Sequence, residues 1–206
     1  MKQSERFWSL IDSRRSAGEQ ERAQIDETLW REFGSTRAIV FTDLSGFTRT
    51  TSKHGIESFL EVIRSSHLLF EPVIAAHGGT VLKYEGDSLL ITFDSVESAL
   101  SATDEMFLAA DRFNATVAME RQVHLCVGVG FGQALIFDGH DIFGLEVNLA
   151  SRLGEDTARP GEVLMTSDAV DSTQDANFKS RIVAISDEPG DAVSMWSFRP
   201  KRSQAI

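Results

Sequence analysis

Two carboxylates sit where a strand would hold them still. FTDLSGFT carries Asp43 and KYEGD ends at Asp87, each close to a glycine at the edge of an apolar, β-like run. The strand limits the carboxylate's freedom while the glycine lets backbone amides approach a ligand, a combination suited to a hard divalent cation together with a polyphosphate. Each acid also has a plainer reading, Asp43 as the cap of a following helix and Asp87 as an ordinary turn residue. Further on, Asn148 and Arg152 lie four residues apart in VNLASR and so share one face of a helix. An arginine on a helix is ordinarily a solvated charge, and only its surroundings raise it above that default.

The elements that must position these groups follow from periodicity. AIVFTD reads as a strand ending at Asp43, Gly46 to His54 as a short helix, and Ile56 to His77 as a longer one. The amides from Leu44 to Thr48 then open a helix, where unpaired N–H groups favour phosphate oxygens. Gly46 permits close approach, and Phe47 is available to the core. Gly78-Gly79 marks a reversal before TVLKYEG and SLLITF, which flank Gly86-Asp87 as a hairpin. An alanine-rich helix from Val96 to about Thr116 and a long strand from Val123 to Phe137 come next. A helix from Leu145 to Leu153, stopped by Gly154, leads through Arg159-Pro160-Gly161 to the strand EVLMT. The stretch through Trp196-Ser197-Phe198 reads as edge strands. The order β-α-α-β-β-α-β with additions is α+β, a ferredoxin-like α/β sandwich with helices over one sheet face.

Residues 1–35 have a different texture and read as a helical N-terminal extension, two short helices broken near Ala17-Gly18. Trp8, Leu10 and Ile11, then Ile25, Leu29, Trp30 and Phe33, form stripes able to dock on the main domain or on a second subunit. The main domain spans 36–200, with a tail at 201–206.

Composition narrows the function classes. A chain of 206 residues with 42% hydrophobic content fits one domain with a sizeable core. A net charge of −11 and a pI near 4.9 argue against a protein that grips nucleic acid through a basic face. Anionic substrates would then need a metal. The lone Cys126 excludes an intramolecular disulfide and fits a reducing cytoplasm. No window approaches the roughly 20 apolar residues of a membrane helix, and MKQSERFW lacks a signal-peptide core, so no membrane association is expected.

FTDLSGFT, KYEGD and DIFGLEVNLASR, in this order and at these separations, resemble the catalytic domain of class III nucleotidyl cyclases from about Arg37 to Thr166. The resemblance implies that Asp43 and Asp87, with the Leu44 carbonyl, hold two Mg2+ or Mn2+ ions. It makes the loop around Gly46, Phe47 and Thr48 a triphosphate cradle. Lys83 and Asp141 match the residues that contact a ring nitrogen and the exocyclic amine of adenine. Asn148 matches a ribose-orienting asparagine, and Arg152 an arginine that stabilises the transition state. The implied partners are ATP and a second copy, in a head-to-tail homodimer with composite active sites, and the implied product is 3′,5′-cyclic AMP. Cyclisation of GTP or a pyrimidine nucleotide, or a non-catalytic nucleotide-sensing module, are the rival readings.

The chain also departs from the family's pattern. Where many members carry a phosphate-binding lysine near the C terminus, SDEPGDAVSMW has none and offers Asp187 and Glu188 instead. The connection from Gly132 to Asp141 lacks an arginine found in some members, leaving His140 as the nearest cation. Phosphate binding then falls to metal, backbone amides and Arg49 or Lys53.

Overall fold

The computed structural model describes residues 2–186 and 195–202. The chain opens with α1 (Gln3–Ser16) and α2 (Glu19–Phe33), separated at Ala17-Gly18. Strand β1 (Gly34–Leu44) follows at once, so it is longer than AIVFTD and the helical stretch ends at Phe33. A side chain at Gly34 would collide with the Trp30 carbonyl, which makes glycine the residue for so abrupt a change. Next come α3 (Phe47–His54), α4 (Ile56–Ala76), β2 (Thr80–Glu85), β3 (Ser88–Phe93) and α5 (Val96–Asn114). Strands β4 (Leu125–Phe137) and β5 (Asp141–Phe143) precede α6 (Leu145–Ser151). The rest comprises β6 (Val163–Met165), α7 (Ser167–Ser172), α8 (Ala176–Lys179), β7 (Ile182–Ser186) and β8 (Met195–Phe198).

These strands form one mixed sheet of eight in the order β2-β3-β1-β4-β6-β8-β7, with β5 added to β4. The fold class is thus α+β, as the sequence order implies. Three expectations change. The terminal strand β8 lies between β6 and β7 rather than at the edge, because it pairs antiparallel with both. Gly154 does not stop its helix either: α6 continues into a π-helical turn, Arg152–Thr157. A Cβ at Gly154 would stand 2.7 Å from the Phe41 carbonyl oxygen and 3.0 Å from the Gly128 nitrogen, so this glycine serves close approach to two strands.

Residues 38–42 of β1 are buried on both faces. Ala38, Val40 and Leu44 join Phe59, Phe70 and Ile74 of α4 and Leu100 and Met106 of α5 in the main core. Ile39 and Phe41 face the other way, packing with Val147 and Ala150 of α6. Helices therefore cover both sheet faces here, not the one face expected, α4 and α5 the first and α6 part of the second, because β1 is apolar on both sides. Each fully buried side chain of this kind contributes about 1.5–3 kcal/mol of transfer free energy.

The N-terminal helices dock on their own domain. Phe7, Leu10, Leu29 and Phe33 are buried around Phe137, with the Phe7 and Phe137 rings stacked at 4.2 Å. Trp8 and Trp30 stay half-exposed. The first turn of α1 also holds the β4–β5 turn, where the Ser4 amide donates to Asp138 Oδ2 (3.2 Å) and the Asp138 amide donates to Gln3 Oε1 (2.7 Å). Asp138 adopts φ 52°, a conformation that asparagine and aspartate tolerate better than most residues.

Candidate active site

Asp43 is the penultimate residue of β1 and, by strand alternation, shares the α6-facing side with Ile39 and Phe41. The antiparallel pairing of β1 with β3 brings it level with Ser88, whose hydroxyl donates to Asp43 Oδ1 at 3.2 Å. Because Glu85 pairs with Ser88, the β2–β3 turn has only two residues. Gly86 takes the position with φ 64°, leaving Asp87 the second, at the tip beside Asp43. Burial first, then the Asp87 charge, raise the Asp43 carboxyl from 3.8 to about 6, against hydrogen bonds from Ser88 and the Leu44 amide, with Glu155 adding a further push upward. Burial also raises Asp87. Among the described residues neither acid has a basic partner.

The segment after β1 turns through Gly46 at φ 101° into α3. The first helical bond runs from the Thr50 amide to the Gly46 carbonyl (2.9 Å), so the amides of Phe47 and Thr48 have no intrahelical acceptor. Phe47 does not enter the core. It stays 45% exposed and rests edge-on against Phe59, ring centroids 4.9 Å apart. Lys53 is exposed in the last turn of α3; the side chain of Arg49, and Asp187 and Glu188, lie outside the described residues.

Lys83 and Asp141 meet, Nζ to Oδ1 at 3.1 Å, each about one-third exposed. They are far apart in the chain and their strands are not neighbours in the sheet, so the β1–β4 ribbon must curl across the face to bring β5 against β2. His140 is a loop residue, its Nδ1 2.7 Å from the Asp138 carbonyl oxygen and its Nε2 3.9 Å from Asp141 Oδ2.

Asn148 and Arg152 occupy successive turns at the exposed side of α6 and its π-turn. Among the described residues their side chains have no partner, and they touch neither the Asp43–Asp87 group nor the Lys83–Asp141 pair. The helix lies against β4 because every second residue there is glycine. A Cβ at Gly130 would stand 2.8 Å from the Glu146 carbonyl oxygen, one at Gly132 would stand 2.7 Å from Glu146 Cγ, and one at Gly128 would collide with the Ala150 carbonyl. The buried Glu146 carboxylate fastens the start of α6, accepting from the Phe131 amide (3.0 Å) and the Thr166 hydroxyl (2.6 Å). The alternating glycines of VGVGFG signalled this contact in the sequence, whereas nothing local marked Ser88, Glu146 or Glu155.

The model of the adenylate and guanylate cyclase catalytic domain matches residues 33–196. An adenylate cyclase of Streptomyces coelicolor is 34% identical over 145 residues, 64% of this chain and 35% of its own. A protein of Rhizobium meliloti named putative adenylate cyclase 3 is 30% identical over 129 residues, 63% of this chain and 22% of its own. The chain thus spans about a third or less of these relatives. The solved adenylate/guanylate cyclase/hydrolase of Silicibacter pomeroyi superposes with a TM-score of 0.69 at 24% identity, covering 82% of this chain and 98% of that one, a likeness of fold. With the family model matching residues 33–196, from the end of α2 into β8, the chain belongs to the class III adenylate/guanylate cyclase catalytic domain family.

Proposed function

We propose that the chain is an adenylate cyclase that converts ATP to 3′,5′-cyclic AMP and pyrophosphate in a head-to-tail homodimer. The observation that carries the choice of base is the Lys83–Asp141 pair at 3.1 Å. Adenine offers an acceptor at N1 and a donor at its exocyclic amine, which suit an ammonium and a carboxylate, and guanine exchanges the two. A mismatched buried polar group costs about 1–3 kcal/mol, enough to discriminate bases. The names of the two relatives point the same way.

Asp43 and Asp87, with the Leu44 carbonyl, fit Mg2+ or Mn2+, because two half-buried acids without a basic partner call for a cation. Among the described residues no three His, Cys, Asp or Glu side chains converge as a cage, which accords with the habit of Mg2+ to take one or two carboxylates and complete its shell from substrate phosphates and water. Such ions, when bound, lower the pKa of a hydroxyl and neutralise polyphosphate charge. The Phe47 and Thr48 amides bind phosphate oxygens, with the exposed Lys53 a cation on the same helix. Asn148 orients the ribose so that its 3′ oxygen stands in line with the α-phosphorus. As that bond forms, the hydroxyl proton passes to solvent and the bond to pyrophosphate breaks, while Arg152 stabilises the charge gathered on the α-phosphoryl oxygens. The exposed, unpartnered state of Asn148 and Arg152 supports their serving a centre completed by a second copy, which a two-fold axis supplies twice.

The test is a product assay with ATP, GTP, CTP and UTP under Mg2+ and Mn2+. Cyclic AMP should dominate, and Asp43→Ala and Asp87→Ala should each abolish it while far-UV circular dichroism stays native. Mixing inactive D43A with inactive R152A should restore about a quarter of wild-type activity, since half the dimers then hold one intact centre. Preference for GTP overturns the base assignment, activity in D43A the cation assignment, and failure of mixing the shared site.

A further inference from the structure

Asp141 carries the acceptor on which the choice of base rests, and its surroundings in the β4–β5 hairpin are held by α1. Its cross-strand partner is Phe137, so the two side chains leave the same face of the hairpin, and by alternation Phe143 leaves it too. The Phe7 ring stacks on both aromatics, with centroids 4.2 Å from Phe137 and 6.1 Å from Phe143 and interplanar angles of 26° and 11°. The turn between the strands is tied at Asp138, by the Ser4 amide and by Gln3 Oε1. None of these contacts uses the Asp141 carboxylate, whose Oδ1 is left to meet Lys83. We propose that α1 positions Asp141 for reading the base, with Phe7 and Gln3 as the positioning residues. This rests on the base-reading role proposed for the Lys83–Asp141 pair and goes beyond it by tying that role to the N-terminal extension, which lies outside the family match beginning at residue 33.

The physical argument is one of restraint. Strand β5 is three residues long and pairs with β4 alone, and a two-stranded ribbon of that size holds its shape poorly without packing. On its other face Ile142 joins Leu82 in a buried cluster, which keeps β5 alongside β2, and a register shift between Val81 and Lys83 re-aims the lysine. Phe137–Asp141 is the last pair of the ladder, followed by two turn residues at positive φ, Asp138 (52°) and Gly139 (71°). The end that carries Asp141 is therefore the end least fixed by strand pairing, and it is the end that α1 covers with an aromatic ring and two hydrogen bonds. Without α1 the carboxylate must be ordered when the base arrives. That loss is about the worth of one hydrogen bond, roughly fivefold in an affinity, and it falls on adenine, whose exocyclic amine donates to the carboxylate, and not on guanine, which presents an acceptor there. The cation site is spared, because Asp43 pairs with Cys126 at the opposite end of β4.

The experiment measures, by calorimetry in Mn2+, the affinities for 3′-deoxy-ATP and 3′-deoxy-GTP, which cannot cyclise, on wild type, F7A, Q3A, D141A and the doubles F7A/D141A and Q3A/D141A. Folding of each is checked by circular dichroism. The quantity read is the ratio of the two affinities, which a general loosening of the domain leaves unchanged because it weakens both nucleotides alike. Phe7→Ala should narrow the ratio about fivefold and Gln3→Ala about twofold, and neither should narrow it further once Asp141 is alanine. Gln3 is exposed, so Q3A keeps the idea testable if F7A does not fold. If F7A and Q3A both keep the wild-type ratio, α1 does not position Asp141. If they narrow it as much in the D141A background, the effect bypasses Asp141 and the proposal fails. A D141A ratio equal to that of wild type overturns the base-reading role itself, an outcome distinct from the other two.

Discussion

Asp43→Asn isolates the cost of keeping a charge at the head of this site. The Asp43 carboxyl is raised from 3.8 to about 6, by burial first and by Asp87 second. A carboxyl whose pKa rises on folding holds its proton more tightly in the native state. Its contribution is therefore most favourable below the unfolded value and is lost as pH climbs from about 4 to about 6. Unscreened, a displacement of that size corresponds to about 3 kcal/mol at neutral pH. Asp43 is only half-buried, and solvent screening brings this to about 1–1.5 kcal/mol. Asparagine has the same shape, carries no charge and keeps an acceptor for Ser88. In EDTA at pH 7.5 the variant should melt about 2–6 °C above wild type by scanning calorimetry, given roughly 2–4 °C per kcal/mol for a chain of this size. At pH 4.5, where wild-type Asp43 is mostly protonated, the gain should shrink to about a third. Saturating Mn2+ should reverse the order, since a ligand stabilises only the state that binds it. A variant less stable than wild type at pH 7.5, or an equal gain at both pH values, would refute the idea of an uncompensated charge at Asp43.

Two further outcomes follow from the geometry around the acid pair. Lys83→Ala removes the donor facing Asp141 and should lower kcat/KM for ATP about 10- to 100-fold, with a smaller loss for GTP; parallel steady-state assays check the ratio. Gly128→Ala places a methyl group on the Ala150 carbonyl, which must lift α6 from β4. A loss of about 2–3 kcal/mol in urea unfolding is expected, with cyclase activity falling further than stability accounts for, because Arg152 moves with the helix.

What the sequence disclosed was local. Gly86 beside Asp87 and Gly46 after Asp43 announce their turns in adjacent letters, and both glycines do take positive φ. The long-range part came only from the resemblance: nothing in the spacing of Lys83 and Asp141 says that a curled ribbon brings them within 3.1 Å. Gly154 shows why local rules mislead. A glycine after a periodic segment is ordinarily a helix terminator, and only the knowledge that α6 lies on β4 and β1 turns it into a contact point. Once that is missed, Glu155 drops out of sight, since an unbroken α-helix and a π-turn aim the same residue differently. The N-terminal stripes were equally underdetermined. Leu10, Leu29 and Phe33 pack on Phe137, while the two tryptophans on the same helices remain half-exposed.

An acidic chain with an anionic substrate, as proposed above, faces a contradiction, and the site sharpens it. The molecule carries a net charge of −11, Asp43 and Asp87 push one another's charge away, and Glu155 adds a third carboxylate beside Ser88. At an effective dielectric constant near 20, two like charges about 5 Å apart cost each other roughly 3 kcal/mol, so a triphosphate brought against a cluster of carboxylates alone would be repelled. The helix start at Phe47 and Thr48 offsets only about 1–2 kcal/mol of this. Bound divalent cations would reverse the sign of every such interaction at once. Under the proposed function, the burial and like charge that lift the Asp43 pKa also make nucleotide binding conditional on metal, so that cation affinity, pH and substrate affinity become three readings of one electrostatic balance.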